Sequence, residues 1–212
     1  DLHSFPTRRS SDLVEGARVD HGAHANDIGA LLFDQLAFDE AVGLALEFAA
    51  GRDDTLLVIT SDHGNANPGL NGVGGSFEAK EGAYGATGAC FERLSRFRRT
   101  NAWVMEGLKK GATPAAVRDR VKEATDLVLT DDQVEIMRRA LAKEHQEAYA
   151  ARNAPLVVLG QLVANHVSVG WTGVAHTSDF TELAASGPGS ELIGGVVLNT
   201  TLNRVMRDAL GV

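Results

Sequence analysis

Three separated groups of histidine and carboxylate residues in this sequence have the types and spacing of chemical sites. The first group lies in VEGARVDHGAHAND, where Asp20 and His24 stand four residues apart. If the local backbone is helical, both side chains project from one face and can reach a single cation. A carboxylate oxygen and an imidazole nitrogen together suit Zn²⁺. This group predicts a metal site, with an exposed hydrogen-bonded pair as the alternative.

The second group is Asp62 with His63, and the third contains His176 within GVAHTSD. Asp62 and His63 follow TLLVIT at residues 55–60, which has the composition of a strand buried on both faces of a parallel sheet. Open α/β sheets hold their ligands at such strand ends. Two metal ions about 4 Å apart could share the pair. His176 carries little information by itself.

The remaining histidines are weaker candidates for chemistry. His145 lies in the charged stretch KEHQEAY, which predicts a solvated helix face. His166 is expected at a helix end or in the core. His3 falls in DLHSFPTRRSSDL, residues 1–13, which has no helical or strand period and is interpreted as a non-native or junction segment. It has neither a charged start nor an apolar stretch, so it is not a secretory signal.

Composition limits the class of protein. The chain has 212 residues, of which 44% are hydrophobic, so it can bury a real core. Its 28 acidic and 20 basic residues give a net charge of −8, which argues against nucleic acid as a partner. No apolar run approaches the roughly 20 residues needed to cross a bilayer, so we expect no membrane span. The single cysteine, Cys90, excludes an internal disulfide framework.

Helical periodicity and capping signals predict the elements that must position these residues. Apolar residues with helical spacing predict a helix over residues 25–50, which Gly51 ends. Residues 65–75 are too rich in Gly and Asn for regular structure. Residues 91–150 are charged and helical, with two capping signals. These signals are Thr113 followed by Pro114, and Thr130 followed by Gln133 at capping-box spacing.

The C-terminal part returns to core-like sequence. Residues 155–166 have helical spacing, although their β-branched content leaves a strand as the alternative. Short strands are expected near residues 167–172 and 180–184, with SGPGS as a turn. A last helix near residues 200–210 would be capped by Asn199 or Thr200 and ended by Gly211. We therefore predict a core formed by residues 14–64 and 151–212, with a loop and helical insertion over residues 65–150.

Three motifs in order carry a resemblance to a known family. The motifs are VEGARVDHGAHAND, TLLVITSDHG and GVAHTSDF followed by SGPGSELIGGVVLNT. Together they resemble the C-terminal half of an alkaline phosphatase, over essentially all of residues 14–212. TSDHG alone would also fit phosphodiesterases, sulfatases or cofactor-independent phosphoglycerate mutases of the same superfamily, and the first motif narrows the choice. The resemblance implies an α/β fold, with a three-layer arrangement of sheet and flanking helices that is partial here and carries an inserted helical subdomain.

The resemblance also implies roles for particular residues. Asp20, His24 and His176 would hold a first zinc ion, and Asp62 and His63 would help to hold a second. Glu15 falls where the family binds Mg²⁺, and His21 falls where a basic side chain approaches the phosphate. Asp27 has no ligand role that transfers, so helix packing or support of the ligands is expected. Thr177 and Ser178 stand where a Thr-Gly pair is common, so the loop shape differs there.

The implied activity is hydrolysis of small phosphate monoesters with two zinc ions, one magnesium ion and, in the full-length form, a phosphoserine intermediate. The nucleophilic serine of the family lies in its N-terminal half and has no counterpart here. Ser61 has no matching role. We therefore expect this chain to be a truncated enzyme that is inactive alone, dimeric when full length, and periplasmic or secreted. The alternatives are a phosphodiesterase or sulfatase of the same superfamily, or a non-catalytic metal-binding fragment.

Overall fold

The computed structural model describes residues 11–70 and 88–211 of the chain. Eight α-helices lie within these residues: α1 (Ala17–His24), α2 (Ile28–Ala49), α3 (Gly88–Leu94), α4 (Asn101–Glu106), α5 (Pro114–Thr125), α6 (Asp131–Ala142), α7 (Pro155–His166) and α8 (Asn199–Leu210). The strands are β1 (Leu57–Thr60), β2 (Gly64–Asn65), β3 (Pro68–Leu70), β4 (Val169–Trp171), β5 (His176–Thr177) and β6 (Leu183–Ser186). Short 3₁₀ helices cover Ala150–Asn153 and Ser190–Leu192.

The described chain forms two compact units. Among the described residues, the first unit comprises 11–16, 37–62 and 180–211. The second comprises 17–36, 63–70 and 88–179. No described helix is both long enough and apolar enough to span a bilayer. The predicted boundaries at residues 13, 64 and 150 stay a prediction.

The helical part of the second unit follows its capping signals. The Thr113 hydroxyl accepts a hydrogen bond from the backbone N–H of Ala116, so α5 begins as predicted. Thr130 and Gln133 form the reciprocal capping box at the start of α6. These helices pack with α4 and α7 around one hydrophobic core. Its fully buried side chains include Val117, Val121, Met137, Leu159 and Val163.

Residues 155–166 form a helix and not the alternative strand. Pro155 occupies the first turn of α7, where its missing N–H costs no hydrogen bond. Seven residues of this helix are buried, so tertiary packing outweighs its β-branched content. His166 lies at the end of α7, as predicted, and its Nε2 hydrogen-bonds Gln133 Oε1 at 3.0 Å. Burial, followed by the positive charge of Arg93, lowers the pKa of His166.

Two short antiparallel pairs complete the second unit. β2 pairs with β5, with Gly64 opposite Thr177 and Asn65 opposite His176. β3 pairs with β4. The expectation of no regular structure over residues 65–75 is therefore wrong for its first part, because strand partners distant in sequence order this Gly- and Asn-rich segment. Residues 71–75 lie outside the described residues.

In the first unit, β1 pairs with β6 in the antiparallel direction, with Leu57 opposite Ser186. The expectation of a parallel strand buried on both faces is wrong for the described residues, since Leu57–Ile59 are half-buried and Thr60 is exposed. The sheet hydrogen bonds come from a strand that follows β1 by more than a hundred residues, which composition cannot reveal. β6 also begins three residues later than predicted.

Three further predictions about helices need correction. Leu198 is the N-cap residue of α8 and makes no side-chain hydrogen bond, so Asn199 and Thr200 lie inside the helix; Gly211 ends α8 as predicted. His145 is not on a helix, because α6 ends at Ala142 with Lys143 in a left-handed conformation. The helix predicted over residues 25–50 begins at Ile28, and only Ile28 and Gly29 are buried along it.

Candidate metal centre

Helix α1 places Asp20 and His24 on one face, as their four-residue spacing requires. His24 Nε2 lies 3.4 Å from Asp20 Oδ2. Both side chains are partly exposed, at 34% for Asp20 and 40% for His24, so the pair is open to solvent on one side. The sequence prediction that these two residues share one face is confirmed.

Strand β5 brings the third residue to this pair from 152 positions further along the chain. His176 Nε2 lies 3.1 Å from His24 Nε2 and 3.6 Å from Asp20 Oδ1. One ligand atom from each of Asp20, His24 and His176 lies within 4.8 Å of the other two. We call these three residues the metal triad.

A hydrogen bond made by His24 Nδ1 determines that Nε2 of this ring faces the other two triad residues. His24 Nδ1 lies 2.8 Å from the backbone carbonyl oxygen of Val174. A carbonyl only accepts, so Nδ1 carries the proton and, in the neutral ring, Nε2 presents its lone pair. A metal-binding histidine is usually oriented in this way.

The separation of the two histidine nitrogens fits a cation. Two nitrogens bound to one tetrahedral zinc ion, each at about 2.05 Å, lie roughly 3.3 Å apart. His24 Nε2 and His176 Nε2 are 3.1 Å apart, with the Asp20 carboxylate beside both. Without a cation, one ring must hold a proton between the two nitrogens. The donor set of two imidazoles and one carboxylate is one that zinc accepts.

Asn65 orients the Asp20 carboxylate. Asn65 Nδ2 donates to Asp20 Oδ1 at 2.6 Å and to the Asp20 backbone oxygen at 3.2 Å. This side chain comes from β2, opposite His176 of β5. Asn65 thus ties the carboxylate of α1 to the strand pair that carries the second histidine. The sequence alone did not indicate this residue, because its partner Asp20 lies 45 positions earlier in the chain.

His63 joins the triad through its ring. The His63 and His176 rings stack with centroids 3.6 Å apart and planes 23° apart. His63 Nδ1 lies 3.2 Å from the Gly64 carbonyl oxygen, which places the proton of a neutral ring on Nδ1. The structure therefore brings four of the predicted site residues together, namely Asp20, His24, His63 and His176.

The geometry of the triad does not test the roles predicted for Glu15, His21 and Asp62. His21 is exposed on α1, one residue from Asp20 and so turned away from the Asp20–His24 face. Glu15 is exposed just before α1, and Asp62 is exposed two residues after β1 ends. Glu15 and Asp62 both belong to the first unit. Their roles as ligands, and that of His21 near a phosphate, stay predictions.

A second asparagine stabilises the segment that follows His176. Asn67 Nδ2 donates to Asp179 Oδ2 at 2.5 Å, and the Thr177 hydroxyl donates to Asn67 Oδ1 at 3.2 Å. The hydrogen bond from Asn67 is the main cause that lowers the pKa of Asp179. A Cβ on Gly64 would come within 2.6 Å of Thr177 Oγ1, so β2 must approach β5 with a glycine at this point.

Asp27 caps helix α2 and bonds the start of helix α4. Its side chain is 4% exposed, and it accepts hydrogen bonds from the backbone N–H of Ala30 at 3.0 Å and of Asn101 at 2.6 Å. The first bond caps α2 and the second fixes the start of α4. Burial raises the pKa of Asp27, although these backbone donors favour the charged form. The expectation of a packing role, and not a ligand role, agrees with these contacts.

The fold and the site define a mixed α/β protein in which one helix and one strand assemble an Asp-His-His group that could hold a metal ion. The family model for alkaline phosphatase matches residues 12–212. The chain belongs to the alkaline phosphatase family, and the resemblance seen in its motifs is confirmed.

Solved structures and curated relatives agree with this assignment. The crystal structure of Thermus thermophilus alkaline phosphatase matches with a TM-score of 0.80 and 27% identity, over 93% of this chain and 42% of that chain. This match confirms the predicted fold class. Alkaline phosphatase 3 of Bacillus subtilis (strain 168) is 26% identical over 200 residues, which is 93% of this chain and 39% of that protein. The repressible alkaline phosphatase of Saccharomyces cerevisiae is 52% identical over 52 residues, 24% of this chain and 9% of that protein. The chain thus spans less than half the length of the relatives that match most of it.

Proposed function

We propose that this chain supplies metal ligands to a zinc- and magnesium-dependent phosphomonoester hydrolase. The observation that carries the proposal is the metal triad, in which His24 Nε2 and His176 Nε2 face each other at 3.1 Å beside the Asp20 carboxylate. Family membership supports a phosphatase-type chemistry. Small phosphate monoesters are the proposed substrates, and a periplasmic or secreted location and a dimer of the full-length form belong to the same proposal.

Each residue of the site has a distinct task in this proposal. Asp20, His24 and His176 would hold one zinc ion, His63 and Asp62 would contribute to a second, and Glu15 would bind magnesium. When bound, the zinc ions supply positive charge that stabilises the phosphoryl oxygens and lowers the pKa of a coordinated oxygen nucleophile. The Val174 carbonyl keeps the proton of His24 on Nδ1, and Asn65 holds Asp20 in place. His21 would approach the phosphate. We assign no nucleophile among the residues of this chain, and in the whole enzyme it would be a serine that forms a phosphoserine intermediate.

Zinc titration of the 212-residue chain tests the metal site. We expect the chain to bind zinc, and His24→Ala to weaken binding by roughly a hundredfold because it removes a ligand nitrogen. His166→Ala is the matched control, since His166 belongs to the same unit but bonds Gln133. Equal zinc affinity in the two variants would contradict the site.

A chimera tests the reaction itself. Residues 12–212 would replace the segment that they match in the Thermus thermophilus enzyme, and release of 4-nitrophenol from its phosphate ester would be followed with zinc and magnesium present. We expect turnover that His24→Ala abolishes. A folded, zinc-loaded chimera that cleaves no monoester would refute the proposed activity, and faster cleavage of a diester or sulfate ester would favour the alternative enzymes.

A further inference from the structure

We propose that Asn26 is a positioning residue for the metal triad, because its side-chain amide holds the segment before His176 against the turn that follows α1. The inference rests on the proposed metal site. It concerns a residue with no ligand atom in the triad, and it predicts a change in ligand geometry that a merely structural asparagine would not produce.

Asn26 is a buried residue whose side-chain amide makes two hydrogen bonds to backbone carbonyls. It is fully buried, at 0% exposed, and its backbone φ of 48° lies in the left-handed region, which asparagine tolerates better than most residues. Its Nδ2 donates to the carbonyl oxygens of Ala23 at 3.1 Å and Gly173 at 3.0 Å. Because both partners only accept, the nitrogen end of the amide must face them, which settles its orientation.

The hydrogen bond to Gly173 lies beside a bond made by a triad residue. Gly173 O accepts from Asn26, and the next carbonyl along the chain, that of Val174, accepts from His24 Nδ1. Two consecutive carbonyls therefore fasten this segment to α1 and its turn. His176 follows Val174 by two residues, so its Cα lies at most about 7 Å from the Cα of Val174. A shift of residues 173 and 174 would therefore move His176 relative to His24.

Helix α7 packs closely against the other side of the turn at Ala25 and Asn26. A Cβ on Gly160 of α7 would come within 2.5 Å of the Asn26 carbonyl oxygen and within 2.8 Å of that of Ala25. Helix α7 thus packs directly against the backbone of the turn. Because α7 is buried in the helical core, it holds the turn in place. The hydrogen bond from the Asn26 amide then positions Gly173 relative to this turn.

Strand pairing alone does not fix the triad. The pairing of β2 with β5 positions His176 relative to β2, and Ala66 N donates to Ala175 O at 2.9 Å. Asp20 and His24, however, lie on α1. The geometry of the triad depends on how the strand pair meets α1, and Asn26 supplies one link there while Asn65 supplies another. Loss of Asn26 should therefore loosen the site without abolishing the strand pair.

Cobalt binding separates positioning from stability. Co²⁺ would be titrated into the 212-residue chain, with the affinity and the visible absorption bands of the bound ion as readouts and urea unfolding of the metal-free chain as the stability measure. Asn26→Gly removes both hydrogen bonds and tolerates positive φ. Asn26→Asp keeps the shape and replaces the donor amide by an acceptor. Asn101→Ala is the control, because Asn101 is 2% exposed and its Nδ2 has no hydrogen-bond partner.

We expect Asn26→Gly and Asn26→Asp to weaken Co²⁺ binding by about tenfold and to change its absorption bands, as loss of a group that supports metal ligands does. Asn101→Ala should lower stability yet leave affinity and spectrum within about twofold of the wild type. In a His176→Ala background, Asn26→Gly should have little further effect on affinity.

Three outcomes would overturn the inference. The first is an unchanged affinity and spectrum in both Asn26 variants. The second is an equal change in Asn101→Ala. The third is failure of both Asn26 variants to fold while Asn101→Ala folds, since the amide would then serve the whole fold. If the wild-type chain itself binds no Co²⁺, the proposed metal site fails first, which is a distinct result.

Discussion

At the scale of single residues, neutral asparagine side chains hold one triad residue and the segment beside another. Asparagine suits this role, because it donates through Nδ2 without adding charge beside the proposed metal. Asn65 holds the Asp20 carboxylate, and Asn67 holds Thr177 and Asp179 beside His176. A charged donor such as lysine would compete with the metal for the same carboxylate. Neutral donors avoid that competition.

Asn65→Leu should weaken zinc binding by about tenfold while changing stability little. The leucine keeps the branched shape but cannot donate to Asp20, and it also removes Asn65 Oδ1, a buried acceptor with no hydrogen-bond partner. Competition with a chromogenic chelator would measure the zinc affinity, and urea unfolding would measure stability. Asn101→Leu provides the same substitution at a buried asparagine whose Nδ2 has no hydrogen-bond partner. Wild-type zinc affinity in Asn65→Leu would exclude the proposed orienting role.

The site residues differ in how readily the sequence reveals them. Asp20 and His24 were predictable together because the helical period places positions i and i+4 on one face. His176 carried little information alone, and only its order among three motifs indicated a ligand. Asn26 and Asn65 were not predicted, because the hydrogen bonds that define their roles join positions 45 or more residues apart. Local spacing contains no record of such contacts.

At the scale of elements, Asp27 connects the start of α2 with the start of α4. Its buried carboxyl accepts from Ala30 and Asn101, and burial raises its pKa above the ordinary value of 3.8. At a pH between 3.8 and the folded-state pKa of Asp27, this carboxyl keeps its proton in the folded chain and has lost it in the unfolded chain. The contribution of Asp27 to the free energy of unfolding is therefore complete below pH 3.8 and is lost as pH rises through the folded-state pKa.

Asp27→Asn should remove this pH dependence. We expect the variant to be less stable, because its amide group faces the Asn101 N–H that the carboxylate accepted from. The difference in the free energy of unfolding between wild type and variant should shrink as pH rises from 4 toward neutrality. Urea unfolding followed by circular dichroism across this range measures the difference. A gap that widens with pH would mean that the pKa of Asp27 is lowered and not raised.

Helix boundaries were predictable where a local signal marks them, such as a side-chain cap, a first-turn proline or a terminal glycine. Thr113 and Thr130 begin α5 and α6 as their spacing indicated, since a cap is a local hydrogen bond. At α8, capping-type residues stand one position inside the helix and Leu198 takes the cap position. The predicted parallel pairing of β1 was wrong, because the tertiary fold brings β6 beside it in the antiparallel direction.

At the scale of the whole molecule, helix α2 differs from the amphipathic helices of the second unit. It is 22 residues long, yet Phe33, Leu36, Leu44 and Phe48 are each more than 40% exposed. Its apolar side chains point in all directions, which is typical of a helix buried on every side. The helical period in residues 25–50 predicted the helix correctly, but the period alone could not indicate which faces have a partner.

Metal binding should stabilise the second unit, because the triad joins α1 to a strand 152 residues away in sequence. A cation held by His24 and His176 closes a long loop, and its binding energy adds to the stability of the folded chain. At a free zinc concentration of about 100 times Kd the gain is about 2.7 kcal/mol. For a chain of this size that gain corresponds to a rise in Tm of about 5 to 10 °C. Thermal unfolding with zinc and with a chelator should show this rise in the wild type and in His166→Ala, and should not show it in His176→Ala. An equal rise in His176→Ala would place the bound zinc somewhere other than the triad.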